Sequence, residues 1–214
     1  ARSIVLSCSL ASLLLIPREG LATFTAYNDA GWDSAQGVAN ITTNAFFGGA
    51  TSGALIDYAS GTPLSATVSL SLSSGTASYY ANAANTPNGS DAETIFTNKV
   101  NGDGYSYWSG GPTGTMTFAN LDQTRRYDVV IYATRGGASY TNRIVQLVIS
   151  GVGVFTNTSS SGSTISTTAL TNDTTQITME PSGRVYRYVG IDPGSDGIIT
   201  FTMTMGGANP ACHL

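Results

Sequence analysis

Charged side chains are scarce in this sequence: only 10% of its 214 residues are Asp, Glu, Lys or Arg, and Lys99 is the only lysine. An average globular protein has about 25%. Helices use Lys and Glu on their wet faces, whereas strands accept Ser, Thr and Tyr there, so the composition disfavours helices. The formal charge of −4 leaves no basic surface for phosphates, which argues against nucleic acid as a partner.

Residues that commonly carry catalysis are equally few. His213 is the only histidine, and a Ser-His-Asp or Cys-His site needs a rigidly held imidazole. Each of the three glutamates has a structural explanation: Glu19 lies in a linker, Glu93 in a helix cap and Glu180 in a turn. A carboxylate pair for glycoside hydrolysis is therefore not indicated. We predict no catalytic or cofactor-binding residue and expect a protein that is not an enzyme.

Calcium is the more credible ion, because it takes six to eight oxygen ligands and two loops cluster such atoms. The candidates are Asp192, Ser195 and Asp196 in one loop and Asn101 and Asp103 in another. The same residues also form turns, and we prefer that interpretation. No metal site is therefore predicted.

The sequence has two cysteines, Cys8 and Cys212. An oxidising, extracellular location would tolerate a disulfide between them, whereas a cytosolic protein would keep two free thiols. They could pair within one subunit, pair between neighbours or stay free, and the sequence does not choose.

No apolar run is long enough for a membrane-spanning helix of about 20 residues. The longest, Ser9–Ile16, resembles the core of a signal peptide that would be cleaved near Gly20–Ala22. The alternative is a retained strand, since its apolar residues recur at even positions: Ile4, Leu6, Cys8, Leu10, Leu14 and Ile16. We predict an N-terminal extension strand over residues 1–20, followed by one domain at 21–214.

Alternating apolar and polar residues predict about a dozen short strands in that domain. The clearest are 126–134, 142–150 and 197–205, and Asn28–Gly31 is expected to form a turn. Ser90 and Glu93 fit a capping box, which predicts one short helix over 91–98. The expected fold class is an all-β, jelly-roll-like β-sandwich.

Five groups of turn and strand-edge residues follow one another in a fixed order: Ala26–Asp29, Leu55–Ala59, Leu121–Asp122 with Arg126–Asp128, Phe155–Ser159 and Ile191–Gly197. Together they resemble a β-sandwich module of secreted and cell-surface bacterial proteins. The resemblance covers about residues 21–207 and implies a secreted, extracellular or cell-surface location.

In that family the module continues after the strand at 197–205 into one more apolar strand. Here the expected closing strand is missing, so we expect an open edge on an acceptor sheet formed by Ile199, Phe201, Met203 and Met205. The apolar segment Ile4–Ile16 of another copy would fill it, as in donor-strand pili. Such a head-to-tail contact does not close, so the expected function is that of a structural subunit in an extracellular filament, with the protein itself as partner.

The alternative function is a secreted carbohydrate-binding module. An aromatic platform for glycans could be built from Trp32, Tyr105, Tyr107, Trp108 and Tyr140, although Trp108 also fits a core position. Four Asn-x-Ser/Thr patterns are candidate glycosylation sites: Asn40, Asn88, Asn157 and Asn172.

Overall fold

A computed structural model describes ten stretches of the chain: residues 23–30, 38–46, 51–80, 89–100, 105–133, 143–160, 164–165, 174–178, 183–207 and 211–213. In these stretches the chain forms fifteen strands and one short helix. The strands are β1 (Asn28–Asp29), β2 (Thr42–Thr43), β3 (Ser52–Ile56), β4 (Pro63–Leu72), β5 (Ser78–Tyr80), β6 (Tyr105–Ser109), β7 (Gly114–Ala119), β8 (Tyr127–Ile131), β9 (Arg143–Ser150), β10 (Thr156–Asn157), β11 (Thr164–Ile165), β12 (Thr174–Thr178), β13 (Tyr186–Ile191), β14 (Ile199–Gly207) and β15 (Ala211–His213). The helix is α1 (Asp91–Phe96).

The largest sheet has seven antiparallel strands in the order β11-β12-β9-β14-β7-β4-β3. Alternation along its central strands puts every second side chain on one face, as the sequence pattern requires. That face carries buried residues of four strands: Ala66, Val68 and Leu70 of β4, Met116 and Phe118 of β7, Val145, Leu147 and Ile149 of β9, and Ile199, Phe201 and Met203 of β14. Together they form one side of the core.

The other side of the core comes from smaller sheets, ordered β10-β13-β8 and β15-β6-β5, and from the parallel pair β1-β2. The ring centroids of Tyr188 in β13 and Phe201 in β14 lie 5.3 Å apart. The hydroxyl of Tyr186 donates a hydrogen bond of 2.6 Å to the backbone oxygen of Val145 in β9. These contacts join the β10-β13-β8 sheet to the seven-stranded sheet, and they confirm the predicted all-β, sandwich-like fold.

The predicted capping box starts α1. The hydroxyl of Ser90 accepts a hydrogen bond from the backbone N–H of Glu93, and the Glu93 carboxylate accepts one from the N–H of Gly89. The helix ends at Phe96, two residues before the predicted end, and Asn98 then takes a positive φ of 61° that breaks the helical path. The ring of Phe96 stacks on Tyr132, whose centroid lies 6.3 Å away. One short helix was predicted, and one is found in the described part of the chain.

The expected turn at residues 28–31 is wrong in its first half, because Asn28 and Asp29 form strand β1. Both residues are buried, and the Asn28 side chain donates a hydrogen bond of 3.0 Å to Oδ1 of Asn44. Asn and Asp are common in turns because they bond to their own backbone. Here their side-chain and backbone groups bond instead to residues next to β2, with Asn44 N donating to Asp29 O.

No helix among the described residues is long and apolar enough to cross a membrane. The predicted boundary between 1–20 and 21–214 lies outside the described residues and stays a prediction.

Candidate functional site: sheet edges and a polar cleft

The predicted acceptor strand lies inside the large sheet and not at its edge. β14 pairs with β7 on one side, from Ile199 to Met203, and with β9 on the other side, from Thr200 to Gly207. Ile199, Phe201 and Met203 are fully buried, and Met205 is half-buried against the core. The expectation of an open edge is therefore wrong at Phe201 and Met203, where β7 and β9 of the same chain pair with both sides of β14. Ile199 is paired with β7 alone and Met205 with β9 alone.

Among the described residues, the strands at the two ends of the large sheet are β3 and β11. At β3, the hydroxyl of Thr42 donates a hydrogen bond of 2.7 Å to the backbone oxygen of Ala54 and so occupies an edge acceptor. At the other end, β11 covers only Thr175 and Gln176 of the five-residue strand β12, as far as the described residues extend. The β12 edge is thus the less protected of the two.

The predicted donor residues, from Ile4 to Ile16, lie outside the described residues, so the structure neither places nor tests them. The same holds for Cys8. Cys212 lies in β15, where it is the backbone partner of Trp108. The described residues therefore do not distinguish among the three alternatives for the two cysteines.

A polar cleft of about 430 Å³ opens at one end of the sandwich. It lies between the β3–β4 loop and the β7–β8 loop. The antiparallel register of β4 and β7, in which Thr67 pairs with Ala119, brings the start of β4 and the end of β7 to the same end of the sheet. We call this site the Asp57–Asp122 cleft. The side chains that line it include Phe24, Asp57, Ser60, Asp122, Arg125 and Tyr127.

The first wall of the cleft is held by Asp57. One of its carboxylate oxygens accepts a hydrogen bond of 3.3 Å from the backbone N–H of Thr25. The other accepts a bond of 2.6 Å from the hydroxyl of Ser60. Backbone hydrogen bonds from Asp57 N to Thr62 O and from Gly61 N to Asp57 O close the loop around it. These contacts hold the carboxylate in one position.

The second wall is the loop Asp122–Tyr127. The Asp122 carboxylate accepts hydrogen bonds from the N–H and the hydroxyl of Thr124, at 2.9 and 2.7 Å, and pairs with Arg125 at 2.8 Å. The bonds from Thr124, helped by Arg125, lower the pKa of Asp122. The loop is therefore held together around the Asp122 carboxylate by its own side chains.

Tyr127 supports the same loop from below. Its hydroxyl accepts a hydrogen bond of 2.8 Å from Asp122 N and donates one of 3.2 Å to Asp122 O. A tyrosine that bonds to backbone a few residues upstream is also found at the corners of Greek-key sandwiches. Burial raises the pKa of Tyr127 to about 12, so the phenol stays neutral and keeps donating at physiological pH.

Trp108 of the predicted aromatic platform lies in the core and not on the surface. Trp108 is 1% exposed; its ring lies 4.7 Å from that of Phe46, and its indole N–H donates to Pro112 O at 3.2 Å. Tyr107 is half-buried, and Tyr105 is the first residue of β6. Trp32 and Tyr140 lie outside the described residues. The core position that the sequence also allowed for Trp108 is the correct one.

The candidate calcium loop at 192–196 is occupied by turn contacts. Asp192 accepts a hydrogen bond from Gly194 N and pairs with Arg126 at 3.0 Å, while Asp196 accepts one from Ile198 N. Turn formation therefore accounts for both aspartates. Asn101 and Asp103 lie outside the described residues.

Two of the four glycosylation candidates are described, and both side chains have structural partners. Asn40 is exposed, but its Nδ2 donates a hydrogen bond of 3.1 Å to Tyr58 O, and a glycan on that atom would compete with this contact. Oδ1 of Asn157 accepts hydrogen bonds from the N–H and the hydroxyl of Ser159. Asn88 and Asn172 lie outside the described residues.

Sequence reasoning missed the cleft. Asp57 and Asp122 each sit in a loop, where an aspartate is adequately explained by turn chemistry. The sequence carries no local signal that sets these two aspartates apart from other turn aspartates, and it does not indicate which loops meet.

Searches of protein-family models, of curated proteins and of solved structures find no match to this chain. The jelly-roll-like bacterial module therefore stays a resemblance.

Proposed function

We propose that this chain is a structural subunit of an extracellular filament, in which the apolar segment Ile4–Ile16 of one copy adds as a strand to the large sheet of the next. The observation that carries the proposal is the difference between the two ends of that sheet. Thr42 occupies an edge acceptor of β3, whereas two-residue β11 covers only part of β12 among the described residues. The acceptor is accordingly the β12 edge, in place of β14.

The backbone register at this edge suits an apolar donor. Thr175 and Ile177 of β12 are the backbone partners of Leu147 and Val145 in β9, which are both fully buried. A strand added outside β12 would extend these rows of backbone partners from β9 and β12 to a third strand. Its main-chain hydrogen bonds to β12 would supply affinity. The donor segment is longer than β11 and would take its place along β12.

The period of two in the donor fits this arrangement. Its even positions, Ile4 to Leu10, are apolar, and serines occupy the odd positions 3, 7 and 9. One face of the added strand would therefore be buried and the other solvated. Because donor and acceptor are different surfaces of the same chain, the contact propagates from copy to copy into a fibre.

Deleting residues 1–16 tests the proposal. Negative-stain microscopy should show filaments of the full chain and none of the deletion variant, whose thermal melt should still show a folded sandwich. A matched pair of variants separates the two faces: Leu6→Ser with Leu10→Ser should abolish filaments, whereas Ser7→Thr with Ser9→Thr should preserve them. Unchanged filaments from the deletion variant would refute strand addition by this segment.

The acceptor edge is tested separately. A synthetic peptide of residues 3–16, added to the deletion variant, should slow backbone hydrogen exchange in β12 and leave β3 unchanged. A scrambled peptide is the control. Protection at β3 instead of β12 would contradict the proposed acceptor, because the peptide would then bind at the opposite end of the sheet.

A further inference from the structure

We propose that the Asp57–Asp122 cleft is a binding site for a neutral saccharide. This inference does not depend on filament formation, because the cleft lies in the loops at the end of the sandwich and the assembly edge lies along β12. Its volume of about 430 Å³ falls within the range of about 300–1,000 Å³ that is usual for small-ligand sites.

The charges in the cleft select against anions. Asp57 and Asp122 contribute two carboxylates, and the single guanidinium of Arg125 is already paired with Asp122 at 2.8 Å. The three groups together carry one net negative charge, so a phosphate or carboxylate ligand would be repelled.

A divalent cation also fits poorly. The Asp122 carboxylate already accepts hydrogen bonds from Thr124 on one oxygen and pairs with Arg125 through the other. In the part of the chain that the structure describes, no three His, Cys, Asp or Glu side chains come together as a metal site. Calcium needs six or more oxygens, more than this arrangement leaves available.

Sugar hydroxyls match what the cleft does offer. A hydroxyl can donate to a carboxylate and accept from a guanidinium or another hydroxyl, and Asp57, Arg125 and Ser60 present these groups on facing walls. Bonds to ionised partners are the stronger kind. Phe24 and Leu64 are half-buried in the same cleft and supply apolar surface for the C–H face of a sugar ring.

The polar groups are also fixed in advance. Asp57 is held by Thr25 N and the Ser60 hydroxyl, and the loop of Asp122 is held by the hydroxyl of Tyr127. A ligand would not have to order these side chains, which lowers the entropic cost of binding. Exposed carboxylates on mobile loops would lack this advantage.

The test is an array of immobilised oligosaccharides probed with the full chain, followed by calorimetry on the best neutral sugar. Asp57→Asn and Phe24→Ala should each weaken binding by roughly tenfold or more, since each removes a direct contact. Ser60→Ala, at an exposed position, gives a third cleft variant that puts the fold at little risk. Asp196→Asn is the control, because Asp196 is an exposed turn carboxylate that does not line the cleft, and the variant should bind as the wild type does.

Three results would overturn the inference. The first is no binding to any neutral sugar on the array. The second is binding that none of the three cleft variants weakens, which would locate the site elsewhere. The third is binding to glucosamine oligomers alone that salt abolishes, which would make the cleft a cation site. Filaments of the cleft variants should look unchanged, so failure here leaves the proposed assembly standing.

Discussion

Replacing Phe201 with alanine would remove the aromatic ring from the middle of β14, the central strand of the large sheet. Phe201 is fully buried, and its ring centroid lies 5.3 Å from that of Tyr188 and 6.3 Å from that of Phe118. Strands on both sides hold the β14 backbone, so the surroundings can collapse only partly into the space. Buried Phe→Ala changes of this kind cost about 3–5 kcal/mol in free energy of unfolding.

In a chain of this length, each kcal/mol lowers the melting temperature by about 2–4 °C, so Phe201→Ala should lower it by roughly 6–20 °C. Urea denaturation followed by circular dichroism measures the free energy directly, and the m-value should not change. Phe201→Leu should give a smaller loss, because it leaves a smaller cavity. Val154→Ala is the control: Val154 is 59% exposed, and its change should stay within about 0.5 kcal/mol.

A loss below about 1 kcal/mol for Phe201→Ala would refute the reasoning, because that is the range of a half-exposed or edge position. It would mean that β14 is not enclosed by β7 and β9. The experiment thus distinguishes the interior position in the structure from the open edge that the sequence had suggested.

Three further predictions concern stability. Gly114→Ala should cost about 1–3 kcal/mol, since a Cβ there would lie 2.5 Å from the Trp108 ring, and a melt equal to the wild type would contradict this close packing. Ser90→Ala removes the helix cap and should lower the free energy of unfolding by about 1 kcal/mol in the same urea denaturation. An unchanged free energy would mean that α1 does not depend on this cap. Tyr27 and Tyr127 have pKa values raised from 10.0 to about 12 by burial, so their contribution to stability is complete below pH 10 and is lost as the pH rises towards 12. Tyr127→Phe should make the loss of stability between pH 10 and 12 shallower. A free energy of unfolding that does not change with pH in this range would contradict the raised pKa values.

The individual strands could be predicted well from the sequence. The stretch 142–150 was expected to be a strand and forms β9 at Arg143–Ser150, and 197–205 forms β14 at Ile199–Gly207. Alternation is a strong signal here because one face of each strand must be buried and the other must tolerate water. The short helix was found by its cap, which is a local feature of two side chains.

The neighbours of each strand could not be predicted in this way. β8 and β9 follow each other in sequence and alternate similarly, yet β8 pairs with β13 and β9 pairs with β12 and β14 in a different sheet. Alternation indicates that a strand has a buried face, but it does not indicate which strand lies beside it. The position of β14 was misjudged for this reason.

The cleft illustrates the same limit at the level of a site. Asp57 and Asp122 are 65 positions apart in the chain (122 − 57), and each has a complete local explanation as a turn residue. They face a common space only because the β4–β7 register brings their loops to one end of the sheet. A site made of two loops follows from strand order, so it stays hidden until the order is known.

The central position of β14 has a consequence for assembly that an edge position would not have. Since β14 is paired on both sides from Thr200 to Met203, substitutions of its core face there should weaken folding and affect filaments only through folding. Substitutions of the donor face, such as Leu6→Ser with Leu10→Ser, should do the opposite and leave the melt of the sandwich unchanged. Stability and assembly are therefore separable properties of this chain if strand addition occurs at β12. If every substitution that abolishes filaments also lowers the melting temperature by a matching amount, the donor strand belongs to its own sandwich and not to the next one.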